Sequence, residues 1–132
     1  MRTHRIVDNV AMAAIEQVKV KSTAKMNKVD AEIMQYCIQN VIIKSNHFPI
    51  QHKSPTVYIT DNASMVFGGS DAPLALGCVY SLGAINMENN GKIQSGVTDI
   101  LEKYGVTESR IYINFFDMPR ENVGWNRATF AG

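Results

Sequence analysis

The sequence predicts an α/β fold: two successive strand–helix–strand repeats, giving a four-stranded sheet with two helices on one face. Three observations carry this expectation. Apolar residues recur at helical spacing in two segments, residues 29–45 and 90–104. Short β-prone runs flank each of them, over residues 17–24, 55–60, 74–82 and 111–116. Turn residues separate these segments, so each repeat closes before the next begins.

Taken in order, residues 17–24 alternate weakly, with Val18 and Val20 on one face of a strand. Asn27 is a suitable N-cap, and Asp30 favours the positive end of the helix that follows. In that helix Ile33, Cys37 and Val41 share a stripe with Met34, Ile38 and Ile42, while Glu32, Gln35, Gln39 and Lys44 stay in water. Residues 55–60 read as a second strand, ended by Asp61 and Asn62. Gly68 and Gly69 mark a break where the backbone adopts angles other residues resist. The run from Leu74 to Leu82 predicts a central strand buried on both faces, with Leu76, Cys78 and Ile111 as buried sheet positions. Ile93, Val97, Ile100, Leu101 and Tyr104 give the second helix its apolar stripe, and Gly105 stands where a left-handed cap belongs. Residues 111–116 are strongly β-prone. Two helices on one face leave the other sheet face bare and apolar, which predicts self-association.

Composition narrows the function. The chain has 132 residues, 45% of them hydrophobic, one domain's worth. Residues 1–17 read as an N-terminal extension and residues 18–132 as the domain. A net charge of +1 gives no electrostatic case for nucleic acid or for an anionic membrane. No apolar stretch reaches membrane-spanning length, so no membrane insertion is expected. Asp8 and Asn9 interrupt the segment after Arg2 and Arg5, which argues against a secretory signal peptide, and Asp8 and Glu16 argue against a mitochondrial presequence. Cys37 and Cys78 are too isolated for a disulfide framework, and His4, His47 and His52 lack ligand spacing. Neither a metal nor a cofactor is expected.

Four blocks in the second half carry a resemblance. They are Met65-Val-Phe67-Gly-Gly-Ser70 with Pro73, Tyr80-Ser81-Leu82-Gly83, Arg110-Ile-Tyr112-Ile-Asn114-Phe-Phe-Asp-Met118, and Asn122-Val-Gly124-Trp125-Asn126 with Thr129-Phe130-Ala131. In order and spacing they resemble the macrophage migration inhibitory factor (MIF) family, from Val57 to the C-terminus. Residues 18–56 fit the family only in pattern, and residues 1–17 have no counterpart. The resemblance implies a homotrimer in which three sheets wrap into a barrel, the tautomerase fold, with three pockets between adjacent subunits.

It also implies a chemistry. Tautomerases of this family move a proton beside a carbonyl, using an N-terminal proline as base. Desolvation keeps such an amine neutral. Here Arg2 follows Met1, and the first proline is Pro49, so that base is absent. Lys19 falls near the expected place and is the substitute base to consider; a lysine on a first strand is also often simply solvated. By the same resemblance Leu82, Tyr112, Asn114, Val123, Trp125 and Phe130 form the substrate pocket. Tyr112 and Asn114 would hydrogen-bond a ligand, and Trp125 and Phe130 would form an aromatic wall. Residues on a strand at a subunit interface also pack in this way when no ligand binds. The family's Cys-x-x-Cys positions hold Leu74 and Gly77, so a dithiol mechanism is not supported.

Three functions follow from the resemblance. One is a cytokine-like binding protein with a cell-surface receptor, cytoplasmic and/or secreted without a signal peptide. The second is a keto–enol tautomerase (isomerase) acting on a small aromatic keto acid of the phenylpyruvate or dopachrome type. The third is a non-catalytic assembly paralogue.

Overall fold

A computed structural model describes residues 14–25, 32, 37 and 56–132. Strands β1 (Ala14–Ser22), β2 (Thr56–Thr60), β3 (Ala75–Leu82) and β4 (Ile111–Asp117) form one sheet in the order β2-β1-β3-β4. All four predicted strands are present, and β1 begins earlier than the periodicity suggested. β1 and β2 run parallel, as do β3 and β4, while the central β1 and β3 are antiparallel. Each parallel pair requires a crossover. Helix α1 (Met87–Glu102) makes the one between β3 and β4. The expected helix over residues 29–45 lies outside the described residues, except that Glu32 and Cys37 are helical.

Helix α1 starts at Met87, earlier than its apolar stripe, because its cap lies upstream. The Asn86 side chain accepts the Asn89 N–H at 2.8 Å. At the other end Gly105 has φ +85, and the Val106 N–H donates to the Leu101 carbonyl at 3.3 Å. That left-handed stop is the one the sequence predicts. Ile93, Val97, Ile100 and Leu101 are buried, so the stripe faces the sheet as its spacing requires. They pack with Val20, Val57, Ala75, Val79, Val106 and Ile111 into one core, and Cys37 and Tyr104 lie at its edge.

The sheet is covered on one face only by the described residues. Along β3, Ala75, Gly77, Val79 and Ser81 are buried, whereas Leu76 is exposed and Cys78 and Tyr80 are half-buried. The expectation of a strand buried on both faces is therefore corrected. Side chains alternate along a strand, so α1 covers every second residue and leaves the others open. Leu76, expected in the core, is 41% exposed for this reason, while Ile111 is buried. On β4 the same parity leaves Tyr112, Asn114 and Phe116 on the bare face.

A C-terminal hairpin follows that the sequence pattern does not announce. β5 (Gly124–Trp125) and β6 (Ala128–Thr129) are antiparallel, joined by Asn126 and Arg127 at φ +55 and +68. Two successive left-handed residues give a turn whose twist matches the strands. Arginine is an uncommon choice there, which is why the composition did not reveal the hairpin.

Candidate functional site

The predicted pocket residues fall into three places. Leu82 is buried at the end of β3. Beyond it the chain turns through Gly83 and Ala84, both with positive φ. Three hydrogen bonds fix this turn. The Gly83 N–H donates to Asp117 Oδ1 at 3.1 Å, the Met118 N–H donates to the Ser81 carbonyl at 2.7 Å, and the Ser81 hydroxyl donates to the Gly83 carbonyl. A non-glycine residue in the left-handed region costs about 1 kcal/mol, and at Ala84 the Asn89 side-chain amide helps to hold it by donating to the Ala84 carbonyl at 3.0 Å.

Tyr112 and Asn114 lie elsewhere, on the bare face near the start of β4. Tyr112 is 62% exposed, and its ring stacks on Phe67 with centroids 5.1 Å apart and planes 26° apart. Beside it opens an apolar cavity of about 540 Å3, lined by Met65, Val66, Phe67, Leu74, Leu76 and Tyr112 among others. The glycine loop, one of the four blocks of the resemblance but not among the expected pocket residues, supplies Phe67.

Val123, Trp125 and Phe130 form the third place, around the hairpin. The rings of Trp125 and Phe130 stack at 5.9 Å, only 8° from parallel. The Phe130 N–H donates to the Val123 carbonyl at 3.1 Å, and Arg120 Nη2 donates to the Phe130 carbonyl at 3.1 Å. Trp125 and Phe130, the two residues expected to form an aromatic wall, stack on each other, with Trp125 54% exposed.

Register shows how far apart the first two places are. Leu76 pairs with Tyr112, Cys78 with Asn114 and Ser81 with Asp117. Leu82 is therefore six residues along β3 from the partner of Tyr112, a rise of about 20 Å at about 3.3 Å per residue. The β1 residue facing Leu82 is Ala14. Lys19 pairs with Cys78 and with Tyr58, which sets it in the row of Asn114 and away from Leu82.

Tyr112 and Asn114 offer a phenol hydroxyl and a carboxamide, groups able to hydrogen-bond a carbonyl. Among the described residues, no group of three or more His, Cys, Asp or Glu is placed to hold a metal ion. No described helix is long and apolar enough to cross a membrane.

Residues 15–131 match the sequence model of the family described as macrophage migration inhibitory factor (MIF). Macrophage migration inhibitory factor of Meriones unguiculatus is 37% identical over 76 residues, covering 57% of this chain and 66% of that protein. A homolog from Trichuris trichiura is 40% identical over 78 residues, covering 56% of this chain and 66% of that one. The chain thus spans just under two thirds of these curated relatives' length. The crystal structure of a homologue from Prochlorococcus marinus shares the fold with a TM-score of 0.76, over 86% of this chain and 98% of that one, at 23% identity.

Proposed function

Because the chain belongs to the macrophage migration inhibitory factor family, we propose that it works as a homotrimer whose three pockets, each shared by two adjacent subunits, serve a cytokine-like binding role. The separation of Leu82 from Tyr112 and Asn114 along parallel strands carries this reading. A pocket that contains all three takes Leu82 from one copy and Tyr112 and Asn114 from another. The bare sheet face supports the same assembly. Val66 is 73% exposed, and Leu76, Tyr112 and Phe116 are exposed with it. Contiguous apolar surface of this kind marks an interaction site. A cell-surface receptor, and release without a secretory signal peptide, belong to this reading.

The pocket of this reading binds a small aromatic keto acid without turning it over. Family chemistry uses the amine of a terminal proline. Here the residue facing Leu82 is Ala14, which follows residue 13 of the same chain, so its nitrogen is an amide. An amide nitrogen is not a general base near neutral pH.

One observation favours a second reading, a tautomerase with Lys19 as base. Register puts Lys19 in the row of Asn114, a residue that would orient the substrate carbonyl. A lysine beside an apolar surface becomes a base when desolvation lowers its proton affinity.

Subunit complementation tests the shared pocket. Leu82→Ala and Tyr112→Ala are each expected to lose phenylpyruvate binding, and trimers mixed from the two variants to regain part of it. A mixture no better than its parents would place both residues in one subunit's pocket and end this reading. Turnover separates the remaining alternatives. Turnover by the unaltered chain, abolished by Lys19→Met, would establish the second reading. A trimer that neither binds nor turns over phenylpyruvate would point to assembly alone.

A further inference from the structure

Arg110 stands one residue before β4, and its guanidinium spans the mouth of the glycine loop. Nε donates to the Pro73 carbonyl at 3.2 Å and Nη1 to that of Phe67 at 3.2 Å. Nη2 donates to the carbonyls of Ser70 at 3.0 Å and Ala72 at 3.1 Å. The same guanidinium lies 5.1 Å from the centre of the Phe67 ring. The loop it grips is a tight reversal. The Phe67 N–H donates to the Ser70 carbonyl at 2.9 Å and the Ser70 N–H to that of Phe67 at 3.1 Å, around Gly68 and Gly69 at φ +60 and +74. A loop with two glycines at its tip has many conformations to lose, and a planar fork of donors aimed at its carbonyls selects one.

The contacts then run on to Tyr112. Phe67, held by Arg110 through its carbonyl and its ring face, stacks on the Tyr112 ring. Tyr112 is exposed, so its orientation depends on that stack. We infer that Arg110 is a positioning residue of the ligand pocket: by fixing the Phe67 ring it sets the plane of Tyr112 and fits the pocket to a flat aromatic ligand. This inference rests on the shared-pocket reading. A role confined to loop stability would leave the Tyr112 ring where it is.

Lysine carries the same charge but donates from a single point, and it cannot reach four carbonyls spread across the loop. Arg110→Lys therefore separates charge from geometry. Phe67→Leu removes the ring while leaving its main-chain carbonyl for Arg110. The experiment places a fluorotyrosine at position 112 of the full chain. It then compares the fluorine NMR resonance, the trimer mass and the phenylpyruvate dissociation constant in these variants. Each variant is expected to remain trimeric, to shift or broaden the Tyr112 resonance, and to weaken phenylpyruvate binding about tenfold, as for a lost charge-assisted contact. The double variant should bind no worse than the weaker single one, because both changes break the same line of contacts. An unmoved Tyr112 resonance in Arg110→Lys overturns the inference, and so do losses that simply add. If Arg110→Lys does not fold, an unmoved resonance in Phe67→Leu overturns it. If the unaltered chain fails to bind phenylpyruvate, the pocket reading falls, while the resonance still decides whether Arg110 positions Tyr112.

Discussion

Single residues in this chain act through their neighbours more than through their own chemistry. Asp117 illustrates this at the Leu82 end, where its carboxylate accepts the Gly83 N–H and closes the turn that fixes Leu82. Asp117→Ala is expected to cost about 0.5–1.5 kcal/mol of stability, as for one hydrogen bond, measured by urea unfolding. A cost near zero would show that the turn holds without it. Trp125 is the opposite case. It is 54% exposed and its ring stacks on Phe130, so much of it faces outward. Trp125→Ala should leave the fold standing and weaken ligand binding or assembly. The residue blocks quoted from the sequence contain every member of these arrangements. What the sequence did not display was the pairing of Arg110 with Phe67, because the two are brought together by the return of β4 alongside β3.

Helix α1 is the element whose rules are most fully local. Its cap, stripe and stop follow from Asn86, from Ile93 to Leu101, and from Gly105. Gly91 breaks these rules, since a glycine inside a helix costs about 0.5–1 kcal/mol relative to alanine. It is exposed, and an added Cβ would meet nothing within 4 Å. Gly91→Ala should therefore raise stability by about 0.5–1 kcal/mol. Gly105 also has open space around it, but its φ of +85 is strained for any other residue. Gly105→Ala should lower stability by about 1 kcal/mol. Thermal unfolding of the two variants checks both signs at once, and shifts of the same sign would contradict the backbone argument. At β1, Ala14 and Ile15 pair with Leu82 and Ser81. Extending an N-terminal truncation from residue 13 to residue 17 removes those pairs and should lower the melting temperature.

Among the described residues one sheet face is left open, and the proposed trimer is what covers it. Leu76→Asp and Val97→Asp distinguish folding from assembly. Val97 is fully buried in the core, so a charge there should unfold the chain, at a cost of several kcal/mol, roughly three or more. Leu76 lies on the bare face, so a charge there should leave the helix signal intact and lower the mass seen by light scattering from three chains to one. A Leu76→Asp protein that stays trimeric would mean that the open face is not the subunit contact.

The sequence by itself determined the α/β class, the strands at residues 55–60 and 111–116, and the helix stripe ending at Gly105. These depend on periodicity and capping, which are properties of neighbours along the chain. It also carried the family's blocks, from which Leu82, Tyr112, Asn114, Val123, Trp125 and Phe130 were taken. The tertiary structure decided which face of β3 is open. It decided that Lys19 shares a row with Asn114 while Leu82 faces Ala14, and that Leu82 lies six residues along β3 from the partner of Tyr112. Register between strands comes from pairing across many intervening residues, with a shift between Ile15 and Gln17 that no local pattern announces. A one-residue slip would turn each side chain to the other face, so only the assembled sheet fixes which residues meet.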